Sequence, residues 1–246
     1  MAEPARGAEA VFASASPNPA ATGFNVVGSD ARALAIADSI VLAHGGRRVY
    51  DQTRFFHWNF FGLRTLTWDK REHRVRIDFP AKETVYLLDS YLSPPSGRVK
   101  IKGQEITQPD SLKKYLAEGR SIWINDSYWL VHHFKLKDSG VTLKYAAAVA
   151  ADPLLGRPSY ILDQTFAAVG DTPQNRYRLY IDQQNFRINT WQFFRNIADK
   201  EPEIQTIWAG YANYNGLLLS TDRGLKFQFS DVSVPAVVED EVFVNF

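Results

Sequence analysis

The segment Phe55-Phe56-His57-Trp58-Asn59-Phe60-Phe61-Gly62-Leu63-Arg64-Thr65-Leu66-Thr67-Trp68-Asp69 decides the fold. Its bulky apolar residues recur at every second position. Phe56, Trp58 and Phe60 therefore share one face of an extended strand, and Leu66 and Trp68 resume the pattern after a Phe61-Gly62 turn. Val75, Ile77 and Phe79 repeat it beyond a turn at residues 69–73, which predicts three antiparallel strands in series. Further strands are expected at residues 84–89 and 98–101, joined through Ser93-Pro94-Pro95-Ser96-Gly97. The β pattern returns at residues 141–149, 159–169, 177–182, 187–194, 206–214, 217–220, 225–229 and 232–238, with tight turns at Asn215-Gly216 and Asp222-Arg223-Gly224.

Two helices interrupt this pattern. Ser29 or Asp30 is placed to cap a helix over residues 31–43, in which Ala33, Ile36, Ala37 and Ile40 form one apolar stripe and His44-Gly45-Gly46 is the stop. Pro109 opens a second helix carrying Leu112, Tyr115 and Leu116, and Gly119 is read as its end. Residues 122–134 have helical spacing at Ile124, Tyr128 and Val131 but strand-like content, and read as a short helix or turn leading into a strand. About eleven strands with two principal helices favour a single large, curled antiparallel sheet over two separate domains.

The chain has 246 residues, with 28 Lys+Arg against 27 Asp+Glu, so no global field favours nucleic acid. The absence of cysteine excludes disulfides, thiolate metal sites and cysteine nucleophiles from this chain. The charge-free runs at residues 10–29 and 204–221 are each broken by polar residues, Pro or Gly, so neither spans a bilayer. Residues 1–28 are expected to form a flexible tether ahead of one domain at 29–246, following a removed export or lipid-attachment signal.

No chemical motif stands out. His44, His57, His73, His132 and His133 lack metal-ligand spacing, and His44 fits a helix C-terminus, where a cation is favoured. Nucleophile elbows and phosphate loops are missing. Asp78, Asp89, Asp163 and Asp182 sit near strands where a carboxylate pair could converge, which keeps a hydrolase as one alternative. Residues 47–78 hold eight basic groups against four acidic ones, read either as solvated strand faces or as a surface for anionic headgroups. Asn125-Asp126-Ser127 matches a glycosylation sequon formally, a match common by chance. The 13% aromatic content is the remaining signal. Phe56, Trp58, Phe60, Leu66, Trp68, Ile77 and Phe79, with Trp191, Phe193, Trp208, Phe227 and Phe229, either fill a core or line a cavity.

From Asn125-Asp126-Ser127-Tyr128-Trp129-Leu130-Val131 through Phe134-Lys135-Leu136-Lys137-Asp138 to Gly140-Val141-Thr142-Leu143-Lys144-Tyr145, the sequence resembles an uncharacterised family of bacterial exported, often lipid-anchored proteins. Ala43-His44-Gly45-Gly46 and Val169-Gly170-Asp171-Thr172-Pro173 are similar to the same family, whose members often carry Met-Pro where this chain has His132-His133. That family resembles a branch of the lipoprotein-sorting carrier superfamily. The resemblance implies a mainly β, α+β fold: a single curved antiparallel sheet of about eleven strands forming an unclosed half-barrel with a helical lid. It implies noncatalytic binding or carriage of a lipid or lipoprotein acyl chain in the periplasm or at the outer membrane. The membrane surface or an envelope protein would be a further partner, and no metal, cofactor or nucleic acid is implied. The expected site is the concave face (Phe56, Trp58, Phe60, Leu66, Trp68, Ile77, Phe79, Trp191, Phe193, Trp208 and Phe227) beneath a lid helix at residues 110–118 contributing Leu112, Tyr115 and Leu116. A cell-envelope interaction or sensor module of the same shape with a filled interior is the other alternative.

Overall fold

The computed structural model describes residues 17–167, 172–225 and 227–246. Helix α1 (Ala31–Ala43) buries Ala33, Ile36, Ala37 and Ile40, the stripe expected from its spacing. A short helix α2 (Arg47–Gln52) follows Gly45-Gly46 and was not legible as a separate element. Gly45 has φ +106, and a Cβ there would lie 2.1 Å from the Gly216 carbonyl oxygen, so glycine is required both for the turn and for the close approach.

Strands β1 (Phe55–Phe60), β2 (Arg64–Asp69), β3 (Arg74–Phe79), β4 (Thr84–Asp89), β5 (Ser96–Ile101) and β6 (Gln104–Glu105) form an antiparallel meander. The cross-strand register aligns Trp58, Leu66, Ile77, Tyr86 and Val99 in one row across five strands. Each is at most 1% exposed. Helix α3 (Pro109–Val131) lies on this face, its N-terminus capped by the Gln108 side chain, which accepts from the Ser111 N–H.

Gly119 does not end α3. A Cβ at that position would meet Tyr86 Cδ1 at 2.7 Å and Leu88 Cδ1 at 3.0 Å, so the glycine lets the helix settle onto the sheet. The helix then runs on through the ambiguous stretch to Val131 and closes in a 3-10 turn, His132–Phe134, where a strand had been the alternative. Asp126 holds it in place: both carboxylate oxygens accept from Arg64 of β2 at 2.6 Å, in a pair whose acid is fully buried. Burial pushes the Asp126 carboxyl up, and Arg64 pulls it back. The Asn125 sequon thus lies within a helix, with Ser127 buried.

The second sheet comprises β7 (Val141–Ala151), β8 (Pro158–Phe166), β9 (Arg176–Asp182), β10 (Ile188–Phe194) and β11 (Ile204–Ile207), again antiparallel. The strand expected at residues 206–214 is broken at Trp208, so β12 (Ala209–Tyr214) and β13 (Leu217–Asp222) form a separate hairpin around Asn215-Gly216. The run 225–229, in which residue 226 lies outside the described residues, contributes an isolated bridge at Gln228. The run 232–238 is reduced to β14 (Ser230–Ser233), which pairs with β1. A last turn, α4 (Glu241–Val244), completes the described chain.

The fold is therefore mainly β with helices, antiparallel and not closed into a barrel. Its strands fall into ladders of seven, five and two where one sheet of about eleven had been expected. The division comes where α3 separates β6 from β7. Two apolar cores result, one between the first sheet, α3 and β13, the other between the second sheet and α1, and Trp129 packs against both.

Two surface expectations change. Residues 1–16 of the tether lie outside the described residues, but residues 17–28 are laid against the domain: Phe24 is buried, and the Asn25 N–H donates to the Val141 carbonyl on the edge of β7. The basic stretch is largely neutralised, through Arg47–Asp51, Arg54–Asp69, Arg64–Asp126, Arg74 with Asp69 and Asp240, and Arg76–Asp78. Arg76 also donates to the Val242 and Asn245 carbonyls, so the acidic C-terminal segment lies over the outer face of the first sheet.

Candidate functional site

A cavity of about 220 Å³ lies between the C-terminal half of α3 and the second sheet. Helical spacing brings Ser121, Ile124, Asn125, Tyr128 and His132 to one side of α3, at steps of three or four residues. Phe166 at the end of β8, Tyr177 on β9 and Trp191 on β10 face them, with Trp208 from the break between β11 and β12. The walls are rings in mutual contact. Trp129 and Trp191 have centroids 4.6 Å apart, Tyr177 and Trp191 5.1 Å, and Phe166 and Tyr177 5.4 Å. Ser121, Asn125 and Thr172 are exposed and form a polar mouth, whereas Trp191, Trp208 and His132 are buried at the inner end.

One polar chain crosses this wall. Gln164 of β8, fully buried, donates from Nε2 to the Tyr128 hydroxyl at 2.9 Å, and its Oε1 lies 2.5 Å from His132 Nε2. That orientation assigns the imidazole proton to Nε2. Burial lowers the His132 pKa to about 4, so the ring is neutral near pH 7. Burial likewise holds the hydroxyls of Tyr128 and Tyr177 above their ordinary range. Tyr128 already accepts from Gln164, and among the described residues no group accepts the proton of its hydroxyl.

Behind the cavity lies a buried basic node. The guanidinium of Arg223, 3% exposed, stacks on Trp208 at 3.8 Å and donates to the Trp129 carbonyl at 2.6 Å and to Ser220 Oγ at 2.7 Å. It has no carboxylate partner among the described residues, and burial brings its pKa down to about 9. His44 and His133 pack ring against ring at 4.3 Å, both buried. His44 is not the helix-end cation its position suggested. Its Nδ1 bonds to the Ile40 carbonyl, and burial lowers its pKa to about 4. Neither ring nitrogen of His133 has a partner among the described residues, and its pKa lies well below the usual histidine range, driven by burial and then by the neighbouring basic groups. Among the described residues no group of three or more His, Cys, Asp or Glu could hold a metal ion.

The concave-face residues expected from the sequence separate into three groups. Trp191 and Trp208 line the cavity. Phe56, Trp58, Phe60, Leu66, Trp68, Ile77 and Leu116 are buried in the first core, with Leu112 and Tyr115 packed against it. That half of the concave face is filled, because α3 lies directly in it. Phe79, Phe193 and Phe227 are peripheral: Phe79 lies under Arg64 and Lys82, Phe193 flanks Trp191, and Phe227 is 45% exposed. The lid expected at residues 110–118 is thus the packed end of α3, and the cavity lies under its other end. Tyr128, His132, Phe166 and Tyr177 were missed. The signal for Tyr128 and His132 was the stripe from Ser121 to His132, which emerges once the helix is carried past Gly119; Phe166 and Tyr177 lie on β8 and β9.

None of the four candidate carboxylates lines the cavity. Asp78 is held by Arg76, Asp163 by Arg176 and Arg178, Asp89 accepts from the Tyr91 and Leu92 N–H groups, and Asp182 from those of Gln184 and Asn185. Among the described residues no carboxylate pair lines this site. Among the described residues no helix is long and apolar enough to cross a membrane.

No family model matches the chain, and no curated protein matches it. Solved structures do. A DUF1329 family protein from Desulfovibrio piger is similar at 16% identity and TM-score 0.47, over 87% of this chain and 97% of that one. A putative outer membrane lipoprotein-sorting protein domain from Vibrio parahaemolyticus is similar at 10% identity and TM-score 0.43, over 86% and 96%. A LolA superfamily protein from Nitrosomonas europaea is similar at 13% identity and TM-score 0.42, over 85% of this chain and 97% of that one.

Proposed function

We propose that this protein is a noncatalytic binder of a small apolar or amphiphilic ligand, held between the C-terminal half of α3 and the second sheet. The sequence resemblance supports a cargo among lipids and acyl chains and a place of action in the bacterial envelope. The observation that carries the reading is the contrast within the cavity itself: buried aromatic walls, a polar mouth, and no carboxylate or metal-ligand cluster among its described lining residues. Removing apolar surface from water at about 25 cal/mol per Å² stabilises such a complex without a recognisable polar motif.

The test is uptake of the apolar fluorophore N-phenyl-1-naphthylamine by protein stripped of lipid, with native mass spectrometry for stoichiometry. One molecule per chain is expected, and Ile124→Trp, which fills the cavity, abolishes uptake. Failure of the stripped wild-type protein to take up the fluorophore would overturn the reading.

A further inference from the structure

We propose that the occupant is one small flat carboxylate, an acid built on an aromatic ring system, and not the several acyl chains of a lipoprotein. The inference rests on the binding role proposed for this cavity and narrows its cargo.

Size is the first constraint. At about 220 Å³ the cavity is half as large again as the roughly 150 Å³ engineered cavity that takes up benzene, and lies below the roughly 300–1,000 Å³ of sites for drug-sized ligands. A palmitoyl chain overfills it, and several chains would have to displace the first core. There Trp58, Leu66 and Ile77 are completely buried beneath α3.

Shape is the second. Trp129, Tyr177, Trp191 and Trp208 present planar walls, which stack on a ring with far less loss of internal freedom than an acyl chain suffers on confinement.

Charge is the third. Arg223 lies one ring behind the wall, 3.8 Å from the centroid of Trp208, buried and without a carboxylate partner among the described residues. The described lining residues include no carboxylate, and the Tyr128 hydroxyl proton lacks an acceptor among the described residues, while the unpaired indole N–H groups of Trp191 and Trp208 are sealed within the wall. Unpaired indole N–H groups also occur at Trp58 and Trp68 in the filled half, so these donors do not decide the point alone. A buried guanidinium that makes no ion pair among the described residues, one ring behind this wall, favours an anion and opposes a cation.

Calorimetric titration of the full, lipid-stripped chain with four probes tests this: naphthalene-2-carboxylate, naphthalen-2-ylmethylammonium, palmitate and a triacylated lipopeptide. The expected result is one naphthalene-2-carboxylate per chain, bound at least tenfold more tightly than the ammonium of the same ring, with no saturable binding of palmitate or lipopeptide. Equal binding of the two naphthalene compounds overturns the proposal. So does tighter binding of palmitate or lipopeptide, which leaves the protein a binder of apolar cargo. If none of the four binds and the fluorophore is also refused, the binding role falls with it. The comparison between the two ring compounds needs no variant, so an unstable Arg223→Met protein would not blunt it.

Discussion

Trp58 and Trp191 are both buried on the inner face of an antiparallel sheet, and both lie on the side occupied by α3, yet one is packed solid and the other lines a cavity. The difference lies in what the helix presents. Toward the first sheet it offers Gly119, with no side chain, and the backbone comes down onto Tyr86 and Leu88. Toward the second it offers Tyr128 and Trp129, whose rings meet Tyr177 and Trp191 and leave space between them. One helix thus closes half of the concave face and opens the other half, and residue size along α3 decides which is which.

The largest expected effect tests this directly. Trp58→Ala removes a side chain surrounded by packed neighbours and is expected to cost about 3–5 kcal/mol. Trp191→Ala, already bordering a void, is expected to cost clearly less while abolishing fluorophore uptake. Urea denaturation midpoints of the two variants measure it, and equal losses would break the distinction between the halves.

Acid comes next. Folded His44 and His132 titrate near 4 against 6.5 for a free imidazole, so between those values the unfolded chain binds more protons. Stability is undiminished above about pH 6.5, declines as pH falls toward 4, and loses on the order of 3 kcal/mol per histidine over that window. Asp126, with its carboxyl pushed up by burial, offsets part of this near the lower end. Protonation of His132 places charge near Arg223 at the back of the cavity, and protonation of His44 places it near Arg187, so the hollow half is expected to loosen first. Denaturation midpoints at pH 7 and 4.5 should converge in His44→Gln relative to the wild type.

Gly119→Ala is expected to be destabilising, because overpacking by about 1–3 kcal/mol exceeds the gain of up to about 1 kcal/mol in helix propensity. A stabilised variant would show that α3 can ride higher on the sheet. The smallest effect is expected at Arg98→Ala, whose bond to Glu105 joins two exposed side chains in water, and thermal melting is expected to show a midpoint close to that of the wild type.

The alternation from Phe55 to Phe79 and the stripe in α1 were legible because each pattern is local and one-sided. The second half of α3 was not. A helix packed between two cores carries aromatic and β-branched residues around much of its circumference, and Ile122, Trp123, Ile124 and Trp129 imitate a strand. Gly119 compounded the error, since a glycine needed for close packing reads the same in sequence as one that ends a helix. The cavity inherits that misreading. Its sheet-side residues Trp191 and Trp208 were found from strand periodicity, whereas Tyr128 and His132 depended on a helix that had been stopped too early.

The pairing of β14 with β1, which sets Ser233 opposite His57, ties the first described strand to the last. Synthesis proceeds from the N-terminus, so β1, with its Phe, His and Trp side chains, waits with one edge open until residues 230–233 have been made. A chain terminated before residue 230 keeps that edge permanently, and is expected to be cleared by proteases or to aggregate even with both apolar cores encoded.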